Sequence, residues 1–124
     1  FLDAGIPVGL GSDSVASNNV CDLLEEARIA ALSARSKAGS KRFVSARDVL
    51  SAATLGGAKA LGLDESVGTL EAGKQADIAV VSLANTAQQP VNEGHAALVF
   101  ASNARDVVLT IVGGTEIYRR QNAA

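Results

Sequence analysis

Ile6-Pro7-Val8-Gly9-Leu10-Gly11-Ser12-Asp13-Ser14 decides how this chain is read. Small and branched apolar residues run into a tight glycine turn that delivers one carboxylate, Asp13. Pro7 and the glycines argue for a short strand over residues 6–11 and a turn, rather than a piece of helix. The exit, Ser12-Asp13-Ser14 and then Ala16-Ser17-Asn18-Asn19, is polar and suited to turns and caps. A carboxylate at the C-terminal mouth of a buried strand is where α/β enzymes keep catalytic groups. Taken alone, a carboxylate after a glycine turn reads equally as a turn residue or a helix cap.

Working outward, Asp22 and Glu25 stand in a capping relation ahead of an apolar run. The spacing predicts a helix over residues 22–37, with Leu23, Leu24, Ala27, Ala30, Ala31 and Ala34 on one face and Gly39 as its stop. Ser45 and Asp48 form a second capping pair. Val49, Leu50, Ala52 and Ala53 supply the next apolar face. Thr54-Leu55-Gly56-Gly57 predicts a break or bend, because two adjacent glycines cost roughly 1 kcal/mol each inside a helix. They point to close backbone contact. Gly62 ends the segment.

Beyond Val67 the period changes to that of strands. Ile78, Val80 and Val81 mark one over residues 77–83, and residues 97–101 are a second strand candidate. Residues 85–94 read as a loop around Pro90, with His95 at its end. Residues 107–112, Gly113-Gly114 and residues 115–118 read as a hairpin with a two-residue glycine turn.

The composition excludes several function classes. Eleven basic against thirteen acidic residues give a net charge of −2 with no basic run. That argues against nucleic acid or an anionic membrane as partner. No apolar run approaches the roughly 20 residues of a membrane span. No basic region precedes an apolar one, which predicts no signal peptide. A lone cysteine, Cys21, rules out an internal disulfide and predicts a reducing, cytoplasmic setting, with the thiol as a small buried hydrophobe. The chain holds no methionine and opens on Phe1-Leu2-Asp3-Ala4-Gly5, which reads as the last turn of a helix; a longer parent protein is expected.

Among chemical groups, Asp13 leads. His95 has no second His or Cys at metal-site spacing. Gly9-x-Gly11-x-x-Ser14 is a poor phosphate loop, since Asp13 would repel phosphate and the helix starts too late. Glu26 and Arg28 read by default as a solvated or structural ion pair.

Taken together, these segments resemble a known family. Residues 9–19 with Asp22-Leu23-Leu24-Glu25-Glu26-Ala27-Arg28 resemble the last barrel strand of metal-dependent amidohydrolases. The likeness is to the aminohydrolase branch that deaminates or dechlorinates purine, pyrimidine and triazine rings. That branch favours G-[ST]-D, then S-N-N, then an E-x-R pair, which Glu26 and Arg28 match. Ala53-Thr54-Leu55-Gly56-Gly57-Ala58-Lys59-Ala60-Leu61-Gly62 is similar to the segment after the barrel. Residues 67–78 are similar to the S-G-T-L-E-x-G-K-x-A-D signature, and residues 106–118 to the closing hairpin.

The resemblance implies an α/β fold: residues 1–63 as the end of a (β/α)8 barrel, and residues 64–124 as part of a small β-sandwich. As an isolated chain, a small α+β arrangement with two helices against the residual sheet is expected. It implies hydrolytic deamination, or related C–N or C–Cl hydrolysis, of a cyclic amidine or nucleobase-like small molecule. Asp13 would be both metal contact and proton shuttle, beside a divalent Zn or Fe ion. Ser14, Ser17, Asn18 and Asn19 line the next loop; Ser14 and Asn18 are candidates to touch substrate, although capping the loop is the plainer role. The family's histidine ligands are absent here, so this chain by itself is expected to be metal-free and inactive. The alternative is a stable, non-catalytic remnant. Open strand edges predict self-association into a homo-oligomer.

Overall fold

The computed structural model describes residues 4–36 and 43–121. Residues 37–42, with the expected stop at Gly39, lie outside the described residues. A layer of helices and a three-stranded antiparallel sheet make a small α+β arrangement.

A four-residue helix, α1 (Val15–Asn18), precedes α2 (Leu23–Ser36). Asp22 starts α2 by accepting from the N–H groups of Leu24 and Glu25 at 3.0 and 3.2 Å, as its position in the sequence predicts. Ala27 and Ala31 are fully buried, while Ile29 and Leu32 on the same helix stay exposed. α3 (Ala46–Ser51) opens with the expected capping box: Ser45 Oγ accepts from Asp48 N, and Asp48 accepts from Ser45 N. The glycine pair does not break this helix. Instead α3 widens into a π turn (Ala52–Gly56) and continues as α4 (Gly57–Leu61), ending on Gly62 at φ +69°.

One strand expectation is corrected. Residues 97–101 are helical: α5 (Gly94–Ala96) runs into a second π turn (Ala97–Ala101). Glu93 caps it, accepting from His95 N and Ala96 N. Alanine favours helix, and Ala97 and Val99 fall on a buried face against α2, so tertiary contact settles what a short apolar run leaves ambiguous. The core is built from Ala27, Ala31, Val44, Ala46, Val49 and Val99, with Leu10, Leu50 and Phe100 packed around it. Arg35 closes one end. Its guanidinium sits 4.3 Å from the Phe43 ring and 4.7 Å from the Phe100 ring, and its Nε donates to the Val44 carbonyl.

The sheet is β1 (Ile78–Val81), β2 (Val107–Val112) and β3 (Thr115–Arg119), in that order. Ile78 faces Ile111 and Val112 faces Thr115 in the register. Gly113 and Gly114 take φ of +55° and +80°, as a primed two-residue turn demands. Asp77 holds that turn from across the sheet, accepting from Gly113 N at 2.7 Å. The helices pack mainly on one another rather than on the sheet. Between the layers lies an apolar cavity of about 480 Å³, with Leu24, Ala27 and Leu50 on one side and Ile78, Val81 and Val107 on the other.

Candidate functional site

Residues 6–11 are extended but join no sheet, which corrects the strand expectation. A strand needs a neighbour to pair its backbone, and among the described residues none lies alongside. The segment is seated on the glycine turn instead. Leu10 N donates to the Ala52 carbonyl at 3.2 Å, where α3 widens. A Cβ on Gly9 would stand 2.9 Å from the Gly57 Cα, and one on Gly56 would stand 2.5 Å from the Val8 carbonyl oxygen. The two backbones meet without side chains between them, which is the close contact expected from the adjacent glycines.

This seat presents Asp13 at the start of an exposed loop. Asp13 has φ +56°, in the left-handed region that costs most residues roughly 1–2 kcal/mol. Its Oδ1 accepts from Ser14 N at 2.7 Å, a local bond that makes aspartate tolerable there. Oδ2 has no hydrogen bond to a described residue. Ser14 caps α1 through Oγ, accepting from Ala16 N at 3.1 Å. Asn19 ends α1 at φ +61°. The amide of Asn18 donates to the Ser12 carbonyl at 3.2 Å and also to Glu26 Oε1 on α2. Ser14 and Asn18 therefore order the loop around Asp13.

Two features depart from expectation. Cys21 is exposed, not buried, with Sγ 3.4 Å from Ser12 Oγ. Glu26 and Arg28 do not pair with each other: Arg28 meets Glu25 at 3.4 Å, and Glu26 meets Asn18. The i,i+3 spacing makes Arg28–Glu25 readable in advance, whereas the Glu26–Asn18 bond depends on how the loop folds back. One further tie was invisible in sequence. Asp22, 7% exposed, uses its second oxygen to accept from Ala104 N at 2.7 Å, 82 positions away.

His95 shares no hydrogen bond or ion pair with Asp13. It pairs through Nδ1 with Glu93, and that hydrogen bond, followed by those from the Ala96 and His95 backbone, holds the Glu93 carboxyl below its ordinary value. Among the described residues, no three His, Cys, Asp or Glu side chains come together as a metal site. Asp13 offers one oxygen ligand, and catalytic metals ordinarily take three or more from protein. The described residues thus do not complete a metal centre by themselves. No helix among them is long and apolar enough to cross a membrane.

Comparison with known proteins bears on what such a site belongs to. The chain is 43% identical over 120 residues to a 5-methylthioadenosine/S-adenosylhomocysteine deaminase of Moorella thermoacetica, covering 97% of this chain and 28% of that protein. It superposes with a TM-score of 0.88 on an adenosine deaminase from Xanthomonas campestris with bound zinc, at 36% identity, covering 93% of this chain and 26% of that one. Atrazine chlorohydrolase from Arthrobacter aurescens, complexed with zinc, gives a TM-score of 0.84 at 34% identity, over 95% of this chain and 26% of that one. The chain thus spans about a quarter of the length of these relatives. The Amidohydrolase family model matches residues 1–117, and the chain belongs to that family.

Proposed function

We propose that this chain is the C-terminal portion of a hydrolase that deaminates an adenosine-like ring, with Asp13 as its proton-transferring carboxylate. The observation that carries this reading is the 43% identity to a deaminase over nearly the whole chain. Residues 1–63 would close a (β/α)8 barrel, and residues 64–124 would form part of a β-sandwich. The substrate class is a small heterocycle bearing a C–N, or by extension a C–Cl, bond.

Asp13 suits the role on chemical grounds. Its carboxylate is exposed, turned out of the backbone by a left-handed residue, and retains an oxygen with no hydrogen bond to a described residue. Such a group can accept a proton at Oδ2 and return it to a ring nitrogen or a leaving amine. Ser14 N–H orients the carboxylate through Oδ1. In the complete enzyme Asp13 would also be one ligand of a divalent ion, zinc or iron, whose contribution when bound is to make water more acidic. The other ligands would come from residues beyond this chain, and by itself the chain would be inactive.

The test is made on the full-length protein carrying this segment. Ammonia release from S-adenosylhomocysteine is expected, and Asp13→Ala should lower turnover by about 10²–10⁴-fold, the scale of general acid–base catalysis. Normal turnover in Asp13→Ala would remove the residue from the mechanism. A second reading, a non-catalytic module that self-associates, is favoured by the β3 edge, which is exposed throughout and carries Ile117. Concentration-dependent dimerisation lost on Ile117→Lys, with no turnover from the full-length protein, would support it over the first.

A further inference from the structure

We propose that Asn18 and Glu26 act as a two-residue positioning relay for Asp13, an inference that rests on the catalytic reading of that carboxylate. The peptide joining Ser12 to Asp13 is the one whose orientation sets φ at Asp13. Asn18 donates to the carbonyl of that very peptide, at 3.2 Å. It therefore holds the plane that keeps Asp13 at φ +56°. Without that bond the residue is free to relax towards the right-handed or extended region, which is favoured by roughly 1–2 kcal/mol. The carboxylate would then leave its present direction.

Asn18 is itself at the end of α1, a four-residue helix with no buried residue and little stability of its own. Glu26 supplies the anchor. It stands beside the fully buried Ala27 on the 14-residue α2, which packs against α3, and accepts the second N–H of the Asn18 amide. One NH₂ group thus spends both hydrogens, one on the turn and one on the rigid helix. The carboxylate acceptor makes the second bond charge-assisted. An aspartate at position 18 has the same shape but no donor for either bond, and would face Glu26 with like charge. A glutamine at position 26 keeps an acceptor oxygen for the amide.

The experiment uses the full-length protein and S-adenosylhomocysteine, with kcat and KM read separately and thermal melts run alongside. Asn18→Asp and Glu26→Ala are each expected to lower kcat by about 10–100-fold, the usual cost of losing an outer partner of a site residue, with KM within about twofold. Glu26→Gln should restore most of the kcat that Glu26→Ala loses. The double variant should fall no further than Asn18→Asp alone, because Glu26 acts only through the Asn18 amide. Asp13→Asn is run in parallel. If Asp13→Asn is inactive while Asn18→Asp and Glu26→Ala turn over normally, the relay is refuted and the catalytic reading stands. A rise in KM with unchanged kcat would place Asn18 against substrate and also refute the relay. If Asp13→Asn is active, the catalytic reading falls and the relay with it. Should Asn18→Asp fail to fold, the Glu26→Ala and Glu26→Gln pair decides alone, since Glu26 is only half-buried on a helix surface.

Discussion

Replacing Gly56 by alanine tests whether the seat under residues 6–11 is as tight as the structure has it. Gly56 has φ −62° and ψ −43°, ordinary helical values that any residue adopts. Propensity alone therefore predicts that Gly56→Ala stabilises the helix, by about 1 kcal/mol. The added Cβ would lie 2.5 Å from the Val8 carbonyl oxygen and 3.0 Å from that of Ser51. Both are backbone atoms, so no side chain can swing aside. Overpacking of this kind costs about 1–3 kcal/mol, and contact with backbone belongs at the upper end. The net expectation is destabilisation by about 1–2 kcal/mol, opposite in sign to propensity. Urea unfolding followed by far-UV circular dichroism would show the midpoint falling by about half to one molar, for a slope near 2 kcal/mol per molar. Gly94→Ala is the control, because a Cβ there meets nothing within 4 Å. It should stay within about 0.5 kcal/mol of the parent. A Gly56→Ala protein as stable as the parent would refute the close seat. Because Val8 lies only five positions before Asp13, the same shift should reach the carboxylate in the full-length enzyme. A displacement of about 1 Å can cost on the order of 10²-fold in rate.

Two further outcomes follow from named carboxylates. Asp22→Ala deprives three N–H groups of their acceptor, those of Leu24, Glu25 and Ala104. It should cost about 2–4 kcal/mol in the same urea assay, with Asp22→Asn intermediate because one acceptor oxygen survives; a loss under 0.5 kcal/mol would show that water replaces the contacts. Glu93 has its carboxyl lowered from an ordinary value of 4.5, chiefly by the His95 hydrogen bond. Since the folded value is the lower one, its stabilising contribution is complete above pH about 4.5 and fades as pH falls through the folded midpoint. A carbon-detected NMR titration should place the Glu93 midpoint beneath 4.5, and a midpoint at or above that value would sink the assignment.

Local chemistry was readable where partners lie close in sequence. The Ser45 capping box, the Asp22 cap and the Gly113-Gly114 hairpin each depend on residues within a few positions of one another. Residues 97–101 misled because five apolar residues carry no period long enough to separate strand from helix, and the buried face against α2 decides it. Residues 6–11 have the composition of a strand, yet pairing is a property of neighbours rather than of composition. At the site, Asp13 and its glycine approach stood out, and Ser14 as a cap was legible. The amide of Asn18 reaching both Ser12 and Glu26 was not, since it requires α1 to fold back over α2. Asp22 meeting Ala104 spans 82 positions and leaves no local trace. Cys21 is exposed because the loop it closes is exposed, a matter of placement rather than of residue type.

The π turn at Ala52–Gly56 has a consequence for how this region tolerates length changes. Such a turn holds about one residue more than an α-helical turn would. Deleting one of its five residues would let α3 and α4 run together as a regular helix without breaking either. Because the wide turn absorbs that residue locally, α4 would keep roughly its present phase and Gly57 its place beside the Gly9 backbone. The extra residue is thus a local widening, placed where Leu10 N reaches the Ala52 carbonyl, rather than a shift of the helix that follows.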